Sequence, residues 1–321
     1  MEVPEFLRDD KLSEESKNLI SRLAKDKNFQ GTDICNYKGC WYFFNALQGI
    51  LHAQTHFHPQ DSDVFLSSFP KSGTTWLKAL VFALIHRHNH HHHHHHPLLA
   101  RNPHDLVPFL ELRLYFKNQI PDLSGFPSPR LFATHMPFPM LRETIKGSPS
   151  KIVYICRDPK DTLVSAWHFY GKLQRQEIRL ETVFDSYCRG VHAWGPFWDH
   201  VLSYWKESVK NPKHVFFMRY EELQADPTVQ LKRLAGFLEC PFTEEEEKSG
   251  AVDQILKLCS FSSLSGLEVN KTGKTPSDID FKTLFRKGEV GDWANYLTPE
   301  MGKRIDDIVE DKLRGSGLTF L

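Results

Sequence analysis

Val64-Phe-Leu-Ser-Ser-Phe69, followed at once by Pro70-Lys-Ser-Gly-Thr-Thr-Trp76, decides the fold of this 321-residue chain. The first six residues are rich in strand formers, Pro70 to Gly73 are breakers, and the stretch from Thr75 to His86 is apolar nearly all round. That order predicts a strand, a tight loop and a buried helix. The same rhythm recurs at Arg130 to Thr134, at Lys151-Ile-Val-Tyr-Ile-Cys156 before a helix from about Asp161, and at His214 to Met218 before a helix opening with Asp226-Pro227. Aspartate as cap with proline at the first helical position is a start signal. Short apolar strands alternating with helices predict an α/β fold around a central parallel sheet flanked by helices on both faces. Ligands of such sheets bind at the carboxyl ends of the strands. That rule gathers Pro70 to Thr75, His135, Arg157 and Tyr220 into one candidate site.

The length fits one large α/β domain or two small ones, since single cores stop growing at roughly 250–300 residues. Hydrophobic residues make up 40% and charged residues 25% of the chain, the proportions of a globular protein. Lysine plus arginine equal aspartate plus glutamate at 40 each, so no global field favours nucleic acid or an anionic membrane surface. Anion binding must then be local. The first twenty residues are charged and lack the apolar stretch of a secretion signal. No later run reaches the roughly 18 apolar residues of a membrane span. Six cysteines form no CxxC pair and lie partly in apolar segments, which reads as reduced structural thiols in the cytoplasm.

Pro70 to Trp76 has the order of a phosphate site. Gly73 lets the backbone approach an anion, the amides that open the helix point at it, and Lys71, Ser72, Thr74 and Thr75 add donors. Trp76 offers a flat face for a purine. A nucleotide-triphosphate loop would place lysine after a second glycine, whereas here Lys71 precedes Gly73. The second motif is Cys156-Arg-Asp-Pro-Lys-Asp-Thr-Leu-Val-Ser165, again strand into helix, in which Arg157 and Ser165 can reach one anion over the sheet edge. The third is Phe285-Arg-Lys-Gly-Glu-Val-Gly-Asp-Trp293, where Arg286, Lys287 and the Gly288 amide can wrap a phosphate.

Together these motifs resemble the cytosolic sulfotransferase family, and within it the plant enzymes that act on flavonoids, steroids, phenols and hydroxyjasmonates. The likeness runs over residues 35 to 321 and implies a single domain, with residues 1–34 as an N-terminal extension and 86–97 as a His-rich loop insertion. Pro70 to Trp76 is similar to the family's 5′-phosphosulfate loop, Arg157 to Ser165 to its 3′-phosphate site, and Arg286 to Gly288 to the start of its RKGxxGDW signature. The implied co-substrate is 3′-phosphoadenosine-5′-phosphosulfate (PAPS), leaving as PAP, with no metal. By this resemblance Lys71 contacts the bridging oxygen and the 5′-phosphate, Thr74 and Thr75 hold that phosphate, Ser72 and Gly73 bind the co-substrate in the same loop, and Trp76, Tyr220 and Phe261 enclose adenine. Arg157, Ser165, Arg286, Lys287 and Gly288 hold the 3′-phosphate. His135, in Ala133-Thr-His-Met-Pro137, matches the family's general base.

The chemistry agrees independently. A hydroxyl must lose its proton as its oxygen attacks sulfur, and histidine suits that transfer near neutral pH. Negative charge grows on the leaving phosphate oxygen, where Lys71 and backbone amides stabilise it. Many animal relatives carry lysine two residues before the histidine, where this chain has Ala133, as the plant branch does. The family's dimer motif would want Lys, Thr, Val and Glu in Ala294 to Lys303, where Thr298 alone fits, which predicts a monomer. The partner is a small hydroxyl acceptor. Trp41, Phe43, Phe44, Phe138, Phe169 and Tyr170 are candidates to line its cleft. Two other readings keep the loops: a nucleotide kinase, which would need Mg²⁺ and carboxylates by the phosphates, and a silent adenosine-phosphate binder, which has no use for His135. The seven histidines from His90 read as loop expansion rather than a metal site. Thr243-Glu-Glu-Glu-Glu247 reads as a capped helix start.

Overall fold

The computed structural model describes residues 11–89, 95–117, 119–174, 177–275 and 278–320. A four-stranded parallel sheet forms its centre, built from β4 (Val64–Ser68), β5 (Leu131–Thr134), β6 (Lys151–Cys156) and β7 (Val215–Arg219) in the order β5-β4-β6-β7. Before it come the helix α1 (Glu14–Ser21) and the strands β1 (Lys25–Lys27), β2 (Asp33–Tyr37) and β3 (Cys40–Phe43), which form a small antiparallel sheet. Residue 34, where the extension was expected to end, is the fully buried Ile34 of β2.

All five residues of β4 are buried, because it lies between two parallel partners and under helices on both faces. Alternation along the strands sorts the core. Phe65, Phe132, Ile152 and Tyr154 face one cluster, whereas Val64, Leu66, Leu131, Ala133, Val153 and Ile155 face the other. The first face is covered by α2 (Phe44–His56) and α5 (Phe138–Ile145), the second by α3 (Thr74–Ile85) and Pro227–Phe237. The helix opening Pro227 is capped by Asp226, whose Oδ1 accepts from Val229 N–H at 3.0 Å, and Thr243 forms the expected capping box with Glu246.

The order of the strands matters more for the site than their number. From β4 the chain goes to one neighbour, β5, and then crosses to the other, β6, so the direction of winding reverses beside β4. A crevice opens at such a reversal, at the carboxyl ends of the strands. Four segments emerge there: the loop after β4, His135 after β5, Arg157 at the head of α6 (Pro159–Gln174), and Tyr220 after β7. A fifth arrives from outside the sheet. Residues 103–116 run from α4 (Pro103–Leu106) into a π-helical turn at Leu110–Leu114, and Ala133 N–H donates to Pro108 O at 2.9 Å, pinning this segment beside the end of β5.

Candidate active site

The five segments, together with Trp194 and residues between 256 and 288, enclose a cavity of about 520 Å³. Gly73 shows why the loop has its sequence. Its φ of +104° lies in the left-handed region, and a Cβ there would stand 2.8 Å from the Tyr220 ring. Glycine therefore lets the chain turn into α3 under the tyrosine. Lys71, with φ of +70°, holds an unusual conformation for a side-chain-bearing residue. Pro70, Lys71, Gly73, Thr74, Thr75 and Trp76 line the cavity. Ser72 does not. It is fully buried, and its N–H donates to Phe69 O at 3.2 Å. Thr74 turns its hydroxyl inward to Ser68 Oγ at 2.6 Å, while Thr75 Oγ1 lies in hydrogen-bond contact with His104 Nε2 at 2.9 Å.

The remaining expected residues all reach the same cavity: Arg157, Ser165, Tyr220, Phe261, Arg286, Lys287 and Gly288. Trp76 and Tyr220 meet edge to face at 5.5 Å, and Tyr220 O–H donates to Gly288 O at 2.9 Å. Gly288, at φ +73°, lies where a Cβ would stand 2.7 Å from the Phe261 ring. Arg157 donates to Glu289 O at 2.5 Å and pairs with Asp161 at 3.3 Å, leaving its buried Nε without a partner. Asp161 in turn accepts the N–H groups of Gly291 and Trp293, at 2.8 and 2.9 Å, and so ties the C-terminal loop to α6. Arg286 and Lys287 share the buried carboxylate of Asp292, the latter at 2.6 Å. Burial would raise that carboxyl, but the bonds from Lys287, Arg286 and Asn295 outweigh it and hold it well below the carboxylate range.

Seven cationic side chains line the cavity, and among the described residues no carboxylate does. Lys71 feels this most. Its ammonium rests 3.9 Å from the centre of the Phe169 ring. Burial first, then repulsion from Arg157, Arg286 and Lys172, brings its pKa down to about 7. An anion in the cavity would reverse those terms.

His135 is fixed from three sides. Its Nδ1 lies 2.8 Å from Ser68 O, and a carbonyl only accepts, so Nδ1 carries the proton and Nε2 keeps a lone pair. Glu111 Oε1 accepts the His135 backbone N–H at 2.7 Å. His200 Nε2 donates to the His135 carbonyl at 2.9 Å, with His200 Nδ1 accepting from Tyr154 O–H at 2.9 Å. Among the described residues Nε2 of His135 has no hydrogen-bond partner. Burial lowers the imidazole to about 3, partly opposed by the Ser68 bond and reinforced by Lys78, His200 and Lys71, so it is neutral at physiological pH.

Phe169 and Tyr170 line the cavity as expected, but Trp41, Phe43, Phe44 and Phe138 do not. Phe43 is buried in the core, and Phe138 packs edge to face on Tyr204 at 5.7 Å. In their place stand Phe109, Leu112, Phe116 and Trp194. His104, His168 and Lys172 also reach the cavity, none of them within a recognised motif. Of the histidine run, residues 90–94 lie outside the described residues; His96 accepts the Leu98 N–H at 3.2 Å as a turn cap.

A crevice at the switch point of a parallel sheet, lined by cations, aromatic faces and a neutral histidine, suits an anionic, ring-bearing ligand. Comparison with known proteins gives the family. A family model described as "Sulfotransferase domain" matches residues 61–317. Cytosolic sulfotransferase 1 of Arabidopsis thaliana is 54% identical, over 99% of this chain and 98% of its own length. Among solved structures, an Arabidopsis thaliana protein named provisionally as a steroid sulphotransferase superposes with a TM-score of 0.79 at 43% identity, covering both chains fully. Mouse sulfotransferase SULT7A1 complexed with PAP gives 0.68 at 29% identity, over 88% of this chain and 95% of its own. The chain belongs to the sulfotransferase family and is a sulfotransferase enzyme, which sets aside the kinase and silent-binder readings. Its relatives are named cytosolic, in keeping with the expectation from the reduced thiols, and among the described residues no helix is long and apolar enough to cross a membrane.

Proposed function

We propose that the chain transfers a sulfuryl group from PAPS to the hydroxyl of a small organic acceptor, with His135 as general base and Lys71 at the bridging oxygen. The observation that carries this reading is the state of His135: proton on Nδ1, lone pair on Nε2, in the same cavity as the loop after β4. The acceptor O–H gives its proton to Nε2 as its oxygen bonds to sulfur. The S–O bond to the 5′-phosphate breaks, and its electron pair stays on the phosphate oxygen, where Lys71 and the amides opening α3 meet the charge. A sulfated product, PAP and a protonated His135 result; the proton then leaves to solvent.

Arg157, Ser165, Arg286, Lys287 and the Gly288 amide are assigned to the 3′-phosphate, and Trp76, Tyr220 and Phe261 to adenine. SULT7A1, which holds PAP, supports that donor by its likeness over most of the chain. The aromatic lining at Phe109, Phe116, Phe169 and Trp194 suits an apolar, ring-bearing acceptor such as a flavonoid, steroid, phenol or hydroxyjasmonate. The same reading keeps the chain monomeric, since Ala294 to Lys303 departs from the dimer motif.

Transfer of ³⁵S from labelled PAPS to a panel of phenolic, steroidal and jasmonate-type hydroxyls tests it. Wild type should label at least one class. His135→Ala should lose transfer by about a hundredfold or more while still binding PAP, because base and donor site are separate groups. Turnover preserved in His135→Ala would remove the base from the mechanism.

A further inference from the structure

Lys78 stands one turn beyond Thr75 on the same face of α3 and is fully buried. Its Nζ lies 3.0 Å from His104 Nδ1 and 3.5 Å from the centre of the Phe109 ring. Phe109 in turn stacks, tilted, at 4.6 Å on His135. Among the described residues no carboxylate comes within ion-pair distance of this ammonium. Burying an ammonium without a paired carboxylate is unfavourable, so packing alone gives no reason for lysine here. A leucine or methionine would fill the space.

The hydrogen bonds supply the reason. When Lys78 is charged its ammonium only donates, so His104 Nδ1 accepts from it and the neutral imidazole carries its proton on Nε2. Nε2–H then donates to Thr75 Oγ1 at 2.9 Å, which leaves the Thr75 hydroxyl proton free to point into the cavity. With the opposite tautomer Thr75 would spend that proton on His104. The imidazole is held in place by its own backbone: His104 N–H donates to Asn102 Oδ1 at 2.8 Å, and Arg113 donates to His104 O at 2.9 Å. β5 itself brings no cation to this side, since Ala133 and Thr134 precede His135.

We propose that Lys78, acting through His104, positions the Thr75 hydroxyl as a donor to the phosphosulfate, so that a cation buried behind the loop helps stabilise the charge on the leaving group. This rests on the donor reading given above. Lys78 and His104 are positioning residues; neither reaction partner need touch the lysine. The charge of Lys78 sets the direction of the chain. Burial drives the amine well down, Glu111 on the π-helical turn and Asp105 on α4 draw it up, and Arg113 opposes them. An anionic donor in the cavity adds to the upward pull, so the chain turns outward when the donor is present.

The test uses the full chain with PAPS and an acceptor labelled in the panel above, comparing wild type, Lys78→Met, His104→Leu and His104→Gln. Methionine is apolar and of similar reach, so Lys78→Met should melt at or above the wild-type temperature. A purely structural lysine would leave its kcat unchanged; the positioning role predicts a fall of about tenfold to a hundredfold at unchanged acceptor KM. Glutamine can accept from Lys78 and donate to Thr75, so His104→Gln should recover most of the kcat lost in His104→Leu. Wild-type kcat in Lys78→Met, or equal kcat in the Gln and Leu variants, would overturn the proposal while leaving the donor reading intact. Absence of transfer by wild type itself would take down the donor reading and this inference with it.

Discussion

Lys71 holds a left-handed backbone and a half-buried ammonium among other cations, and both are costs that a bound anion offsets. A side-chain-bearing residue in that backbone region costs on the order of 1–3 kcal/mol. The electrostatic cost is the pKa of about 7. In the free enzyme at pH 8 most molecules therefore carry a neutral Lys71, and PAP or PAPS, by restoring the charged form, should draw a proton from solution. Calorimetric titration with PAP at pH 8, in two buffers of different ionisation enthalpy, should show net proton uptake that shrinks toward pH 6, where Lys71 is already charged. Heat independent of the buffer at pH 8 would mean that another group neutralises the donor. Lysine and its loop were legible in the sequence because glycine, hydroxyls and lysine sit within seven consecutive residues after a strand. Spacing alone does not say which of these side chains face the cavity: Thr75 lines it, whereas Ser72 is fully buried and outside the lining.

At the scale of elements, the site depends on how α6 and the C-terminal loop are joined. Ser165, His168, Phe169 and Lys172 follow the i, i+3, i+4, i+7 rule and present one face of α6 to the cavity. The sequence pointed to Ser165 because it closes a motif, and passed over His168 and Lys172 because nothing local distinguishes them from a solvated helix face. The segment 103–116 was likewise unread: it contributes His104, Phe109 and the Glu111 clamp only because Pro108 binds the end of β5 in space. What was readable were the carboxyl ends of four strands, which the parallel sheet forces together. Asp161 is the joint between α6 and the loop, fully buried and bonded to Arg157, Gly291 N–H and Trp293 N–H. Asp161→Ala leaves the Gly291 and Trp293 amides and the buried Arg157 guanidinium short of their acceptor, at about 1–3 kcal/mol for a buried group left unsatisfied. Because Arg286 and Lys287 ride on that loop, the variant should raise KM for PAPS by tenfold or more while leaving acceptor KM near wild type. A PAPS KM unchanged in folded Asp161→Ala would show that the loop holds its place without α6.

Across the whole molecule, folding encloses histidines in their neutral form. Burial lowers His135 to about 3 and His192 and His200 to about 4, and drives His104 well down as well. In the unfolded chain each returns to about 6.5, so between pH 4 and 6.5 the unfolded state binds more protons at these four positions. Three acids work the other way, Asp199 being raised by burial as well as the two that follow. Burial raises Glu111 to about 7 and Asp158 to about 6, so in the same window the folded state holds a proton there that the unfolded chain releases. Burial lowers His52 and His168 too, so six histidines against three acids leave the unfolded state with the larger proton count. Stability should therefore be fully present above pH 6.5 and fall as the solution is acidified, by up to roughly 1.4 kcal/mol per pH unit for each net proton. Urea unfolding followed by tryptophan fluorescence should give a midpoint that drops steadily from pH 6.5 to pH 5. His200→Gln, which keeps a donor for the His135 carbonyl but takes up no proton, should flatten that slope even if it lowers the midpoint at pH 7. A midpoint that is level or rises toward pH 5 would mean that the buried acids, not the histidines, govern the acid response, and the neutral His135 on which the transfer chemistry depends would lose its main support.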